Sequence, residues 1–188
     1  MFGSYLELGF DHILDLNGYD HILFLIALCA AYAYKEWNKI LILVTAFTIG
    51  HSITLALSSL NVITIDSNII EFLIPVTILI TALLNLFLKP KASGRWQTIY
   101  LLPIFFGFIH GMGFSNYFKA LLGREAEIIL PLFSFNLGVE LGQICIVAII
   151  LFINYLVTGP AKISQQNWKV AVSIIAAILA IYMIIGKL

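Results

Sequence analysis

The sequence predicts an all-α, polytopic integral membrane protein: six transmembrane helices in a bundle, preceded by a short N-terminal interfacial helix. Three observations carry this. Of 188 residues, 61% are hydrophobic and only 11% charged, where about a quarter of an ordinary soluble domain is charged. Mean hydropathy is +1.02. The apolar residues also gather into six runs, at about 19–35, 39–60, 68–88, 97–118, 128–157 and 168–187, close to the roughly 20 residues that a spanning helix needs.

The segment before the first run, MFGSYLELGFDHILDLNG, is too short and too acidic to span. It also lacks the positive start and small-residue cleavage site of a secretory signal. It predicts an amphipathic helix lying at the interface and ended by Asn17-Gly18, with Asp11, His12 and Asp15 on its wet face. The first run opens on Asp20 and His21 in NGYDHILFL, and the second carries His51 in TAFTIGHSITLAL. The third begins at Glu71, expected to be exposed or capping. The fourth holds His110 in FFGFIHGMGF, and the fifth holds Glu140 in SFNLGVELGQ. That fifth run is longer than a bilayer requires, so it tilts or extends past the lipid. The sixth has no ionisable residue in its apolar stretch before Lys187 and reads as scaffold. No repeat or polar linker divides the chain, which reads as one domain over 1–188.

Loop charges predict orientation. Lys35 and Lys39, then Lys89, Lys91 and Arg95, then Lys162 and Lys169 fall on one side; Lys119, Arg124 and Lys187 fall on the other among Glu7, Asp11, Asp15, Asp66, Glu125 and Glu127. The richer side belongs in the cytoplasm, so both termini face outward in the inner (plasma) membrane. Tyr5, Tyr19, Trp37, Trp96, Tyr100 and Trp168 read as interfacial anchors. Zero net charge gives no basic face for nucleic acid. Cys29 and Cys145 lie in apolar runs with no CxxC pairing and read as small core residues.

Ionisable groups inside spans are costly and suggest function. At about 1.5 Å of rise per residue, Asp20, His21, His51, His110 and Glu140 fall in one layer between the outer face and the midplane. Three histidines and two carboxylates with no neighbouring Lys or Arg make a poor structural network and a good cation site. Imidazole with carboxylate suits nickel, cobalt, zinc or ferrous iron, and missing thiolates argue against copper(I). Asn136, Glu140 and Gln143 share a stripe at i, i+4 and i+7, as Thr48, His51, Ser52 and Leu55 share a face of the second span. Glycines beside them, at 50, 107, 111, 113, 138 and 142, permit close helix approach.

HILDLNGYDHILFLIAL, TAFTIGHSITLAL, FGFIHGMGFSNYF and FNLGVELGQ together resemble the HupE/UreJ family, named as hydrogenase and urease accessory membrane proteins. The resemblance covers residues 9 to about 145 in four ordered blocks. It implies a small multi-span protein, some members being regarded as nickel or cobalt permeases. Carried over, His12, Asp20 and His21 match the first motif, His110 the histidine–glycine block, and His51 and Glu140 the polar positions of the other two. Leu16 and Asn17 lengthen the gap between His12 and Asp20 relative to the permease-like members.

The leading expectation is a permease or metal-binding accessory protein for a divalent cation. His12, Asp20, His21, His51, His110 and Glu140 would be its metal contacts, with Asn136, Gln143, Thr48 and Ser52 orienting them. The alternatives are an intramembrane zinc hydrolase using Ser52 and Asp20 against a lipid-like substrate, and a sensor or assembly subunit with a structural metal. An oligomer or an accessory protein partner fits each. No GxxxxGK[ST] motif occurs, so pumping would need a partner or an ion gradient.

Overall fold

The computed structural model describes residues 2–87, 96–122 and 127–188, the side chains of 96–100 excepted. These residues form helices α1 (Phe2–Leu14), α2 (Asp20–Ala30), α3 (Trp37–Ser59), α4 (Ser67–Phe87), α5 (Trp96–Gly113), α6 (Ser115–Leu122), α7 (Ile129–Thr158) and α8 (Gln165–Ile185), with no strand among them. The expectations for Lys89, Lys91, Arg95, Arg124 and Glu125, and for the Trp96 and Tyr100 side chains, lie outside the described residues.

Four helical stretches are long and apolar enough to cross a membrane: Tyr34–Ser59, Ser67–Phe87, Ile129–Thr158 and Gln165–Ile185. Their outward faces expose Ile42, Ile49, Ile149, Phe152, Ile175 and Ile178, while Phe24, Phe47, Phe118 and Phe135 are sealed inside. Apolar surface this extensive needs a hydrocarbon partner. The remaining two runs differ from expectation. The fourth ends at Gly113; after Phe114 the chain starts the separate, amphipathic α6, whose Phe118 packs on Tyr5 and Phe135. The first run is α-helical only over its 11-residue α2, about 16 Å of helix, too short to cross alone.

What completes the first run is α1. Expected to lie across the interface, it instead packs lengthwise against α7. A methyl on Gly138 would overlap Leu6 O, one on Gly9 would overlap Phe135 O, and Gly142 faces Phe10 and Ile13. From Leu6 beside Gly138 to Ile13 beside Gly142 the contact advances along both helices, so α1 and α7 run in the same direction. Farther along α7, Asn154 Oδ1 accepts from Tyr34 N just after α2, at 2.9 Å. Thus α1 and α2 lie end to end beside α7, as two halves of one interrupted helix about 36 Å long. The interruption, residues 15–19, is turn chemistry: Asp15 Oδ1 accepts from Asn17 N at 2.8 Å, ahead of Gly18.

Helices α3 and α5 pair in the same way. Gly50 lies against Ile104 O, Gly107 against Phe47 O and His51 N, and Gly111 against His51 O. Small residues let both pairs pack backbone to backbone. Each pair delivers a histidine to its contact: His12 from α1, and His51 and His110 from α3 and α5. At the far end, Asn154 Nδ2 donates to Gln165 Oε1, and Gln165 Nε2 donates to Tyr32 O. This relay from α7 and α8 satisfies the backbone of the turn between α2 and α3.

Candidate metal centre

The interruption places two histidines side by side. His12 lies in the last turn of α1 and His21 in the first turn of α2, their ring centroids 4.7 Å apart. His51 of α3 closes a triangle, 6.1 Å from His12 and 5.9 Å from His21. One ligating nitrogen from each of the three lies within 4.8 Å of the others. His110 of α5 is a fourth imidazole, 5.1 Å from His21. His21, His51 and His110 are buried, and His12 is half-buried.

Hydrogen bonds fix two of the tautomers. Asp20 Oδ1 accepts from His21 Nδ1 at 2.9 Å and from His21 N at 2.7 Å. A proton therefore sits on Nδ1, and in the neutral ring the buried Nε2 carries a lone pair with no partner. A carboxylate that holds one imidazole nitrogen so that the other can ligate is the usual support of a metal-binding histidine. In α4, Thr77 Oγ1 spends its hydrogen on Ile74 O at 2.7 Å and so accepts from His110 Nε2 at 3.1 Å. That leaves the lone pair of His110 on Nδ1, again buried and unpartnered. His12 Nε2 and both nitrogens of His51 are also without hydrogen-bond partners.

Orphaned buried nitrogens are costly, and these four histidines hold five of them. An apolar shell surrounds them. Phe114 lies 3.9 Å from His12, Phe135 packs on His12 and His51, and Phe47 and Phe24 pack on His110. Neutral imidazoles with free lone pairs, one neighbouring carboxylate and no thiolate fit a divalent ion of the nickel, cobalt or zinc kind. Asp20→Asn keeps the hydrogen bond to His21 but removes its charge. Titration with nickel is expected to give about 10- to 100-fold weaker binding, with the melting temperature unchanged within a few degrees.

The other sequence candidates are arranged differently. Glu140 is not among the residues whose ligand atoms come together: its Oε1 accepts from Thr45 Oγ1 at 2.6 Å between α3 and α7, and its Oε2 is buried without a hydrogen-bond partner. Helical phase explains this, because His51 and Thr45 leave α3 on different faces. Gln143 Oε1 accepts from Thr48 Oγ1 at 2.7 Å, and Ser52 Oγ donates to Thr48 O at 2.7 Å. The first joins α3 to α7, and the second bonds Ser52 back to its own helix. Asn136 lies beside His51; its Nδ2 donates to Leu132 O at 2.8 Å, and its Oδ1 is buried and unpartnered. Glu71 is ion-paired to Lys187 at 2.6 Å. Sequence reasoning passed over Thr77, although a lone hydroxyl in IPVTILI was a usable signal. It also passed over the phenylalanine shell, which only packing reveals.

The family model described as HupE / UreJ protein matches residues 1–186. No curated protein and no solved structure matches the chain.

Proposed function

This chain belongs to the HupE / UreJ protein family, and from that premise we propose that it is an inner-membrane permease for a divalent transition-metal cation of the nickel or cobalt type. Membership and four long apolar helices make it a membrane protein with a role in metal handling. The observation that carries the finer reading is the triangle of His12, His21 and His51, with lone pairs turned inward and no hydrogen-bond partners. In this reading the cation is cargo. It sheds water as the three imidazoles take its coordination positions, His110 supplies a fourth nitrogen, and the Asp20 carboxylate offsets charge. Ligands drawn from two half-helices and α3 suit release, since a small movement of α1 against α2 opens the triangle. Discontinuous helices are a recurring way for transporters to hold ions near the midplane.

The same reading gives six crossings, the first made by α1 and α2 in series, with both termini outside. In support, Lys35 and Lys39 adjoin the α2–α3 turn that Asn154 and Gln165 bind, and Lys162 and Lys169 adjoin the α7–α8 turn at that same end. Lys119 and Lys187 lie toward the other. Proteoliposomes loaded with a metal-sensitive dye test the function. Nickel or cobalt influx is expected with the native protein and is lost with His51→Ala. Tight metal binding with no influx in either case would overturn transport and leave a metal-holding accessory role.

A further inference from the structure

A cavity of about 430 Å³ lies beside the α1–α2 interruption, lined by Asn17, Asp20, Glu71, Pro75, Tyr182 and Lys187 among others. It is open on one side, and Asp20 is the residue through which it touches the histidine cluster. Across it, Glu71 of α4 and Lys187 after α8 form an ion pair at 2.6 Å, with side chains 49% and 43% exposed. The sequence predicts Glu71 to be exposed or capping and the sixth run to be scaffold; the structure pairs Glu71 with Lys187 just past α8. We propose that this cavity is the outer vestibule of the metal site, and that the Glu71–Lys187 pair is its charge filter, admitting divalent cations by exchange for the Lys187 ammonium.

The argument is electrostatic and rests on the divalent-cation reading above. Two carboxylates against one ammonium leave the cavity with a cation-attracting balance, and low-dielectric walls focus that field. Lys187 occupies Glu71 at rest, so a monovalent cation gains little by exchanging with it. A divalent ion brings twice the charge to Glu71 and Asp20 and displaces the ammonium. The space suits a partly hydrated ion, at about 30 Å³ per water. Beyond Asp20 waits the unpartnered, buried His21 Nε2, so an arriving ion moves from carboxylate to imidazole.

The test reads the charge of the cavity without needing metal. Asn17 is exposed in the cavity wall and makes its hydrogen bond through its backbone nitrogen, so Asn17→Cys is tolerable. In a Cys29→Ala, Cys145→Ala background, Asn17→Cys is labelled with a trimethylammonium and a sulfonate methanethiosulfonate of similar size. The cationic reagent is expected to react faster. Adding Lys187→Gln raises the cationic-to-anionic rate ratio about tenfold, Glu71→Gln lowers it, and 1 M salt collapses both effects. Nickel association, followed in parallel, accelerates about threefold in Lys187→Gln and slows in Glu71→Gln. Equal rates for both reagents, or a ratio indifferent to Lys187, would overturn the filter. A protein that binds no nickel would instead sink the metal reading, and the labelling ratio would still decide the charge of the vestibule.

Discussion

His21→Ala is expected to lose nickel and cobalt binding by more than 100-fold, the largest functional effect of any single change in this chain. Its imidazole is the hub of the cluster, 4.7 Å from His12, 5.9 Å from His51 and 5.1 Å from His110. Losing a group that merely orients a ligand typically costs about 10- to 100-fold, and losing the ligand itself costs more. The bundle should hold, because the change removes one orphaned buried nitrogen and Asp20 Oδ1 keeps the backbone nitrogen of residue 21 as a donor. Elemental analysis of purified native and variant protein, paired with thermal unfolding, checks this. His110→Ala is expected to be milder, about tenfold, since the triangle of His12, His21 and His51 persists without it. A different outcome, in which native protein holds no metal and His21→Ala melts well below it, would make these histidines helix-joining groups instead.

Gly107→Leu is expected to give the largest loss of stability. A side chain there meets Phe47 O and His51 N, and backbone atoms cannot rotate away as a side-chain tip can. Overpacking a tight contact costs about 1–3 kcal/mol and sometimes more. With about 2–4 °C per kcal/mol for a chain of this size, the melting temperature should fall by roughly 2–12 °C. Metal binding should fail alongside, because α3 moves and carries His51 with it. Gly3→Leu is the control: nothing lies within 4 Å of a Cβ added at Gly3, and its melting temperature should match the native value. Equal melting for both variants would mean that the α3–α5 contact does not hold the bundle together.

Composition and periodicity determined a great deal of this protein. Hydrophobic runs at bilayer length are a one-dimensional signal, and the four longest helices follow from it. Rare ionisable residues in those runs also stand out in one dimension, which is why His21, His51 and His110 could be singled out before any fold was known. Charge counts, too, need only the order of loops along the chain.

Only tertiary structure decided which of those residues meet. Depth along a helix is readable from sequence, but azimuth relative to neighbouring helices is not, and so Glu140, at a plausible depth, turned out to face Thr45. Position along the chain misled in the opposite sense for α1. Its amphipathic pattern is the same whether the apolar face meets lipid headgroups or another helix. Gly9 opposite Gly138 selects the second, by letting the two backbones touch. That contact carries His12 inward to His21, sets α1 and α2 end to end beside α7, and makes the segment a wall of the histidine cluster. The Glu71–Lys187 pair is the same lesson at long range: the two residues lie 116 positions apart, and no local pattern relates them. Helix formation is a short-range property of the chain, whereas the contacts that build this site are set by how whole helices pack.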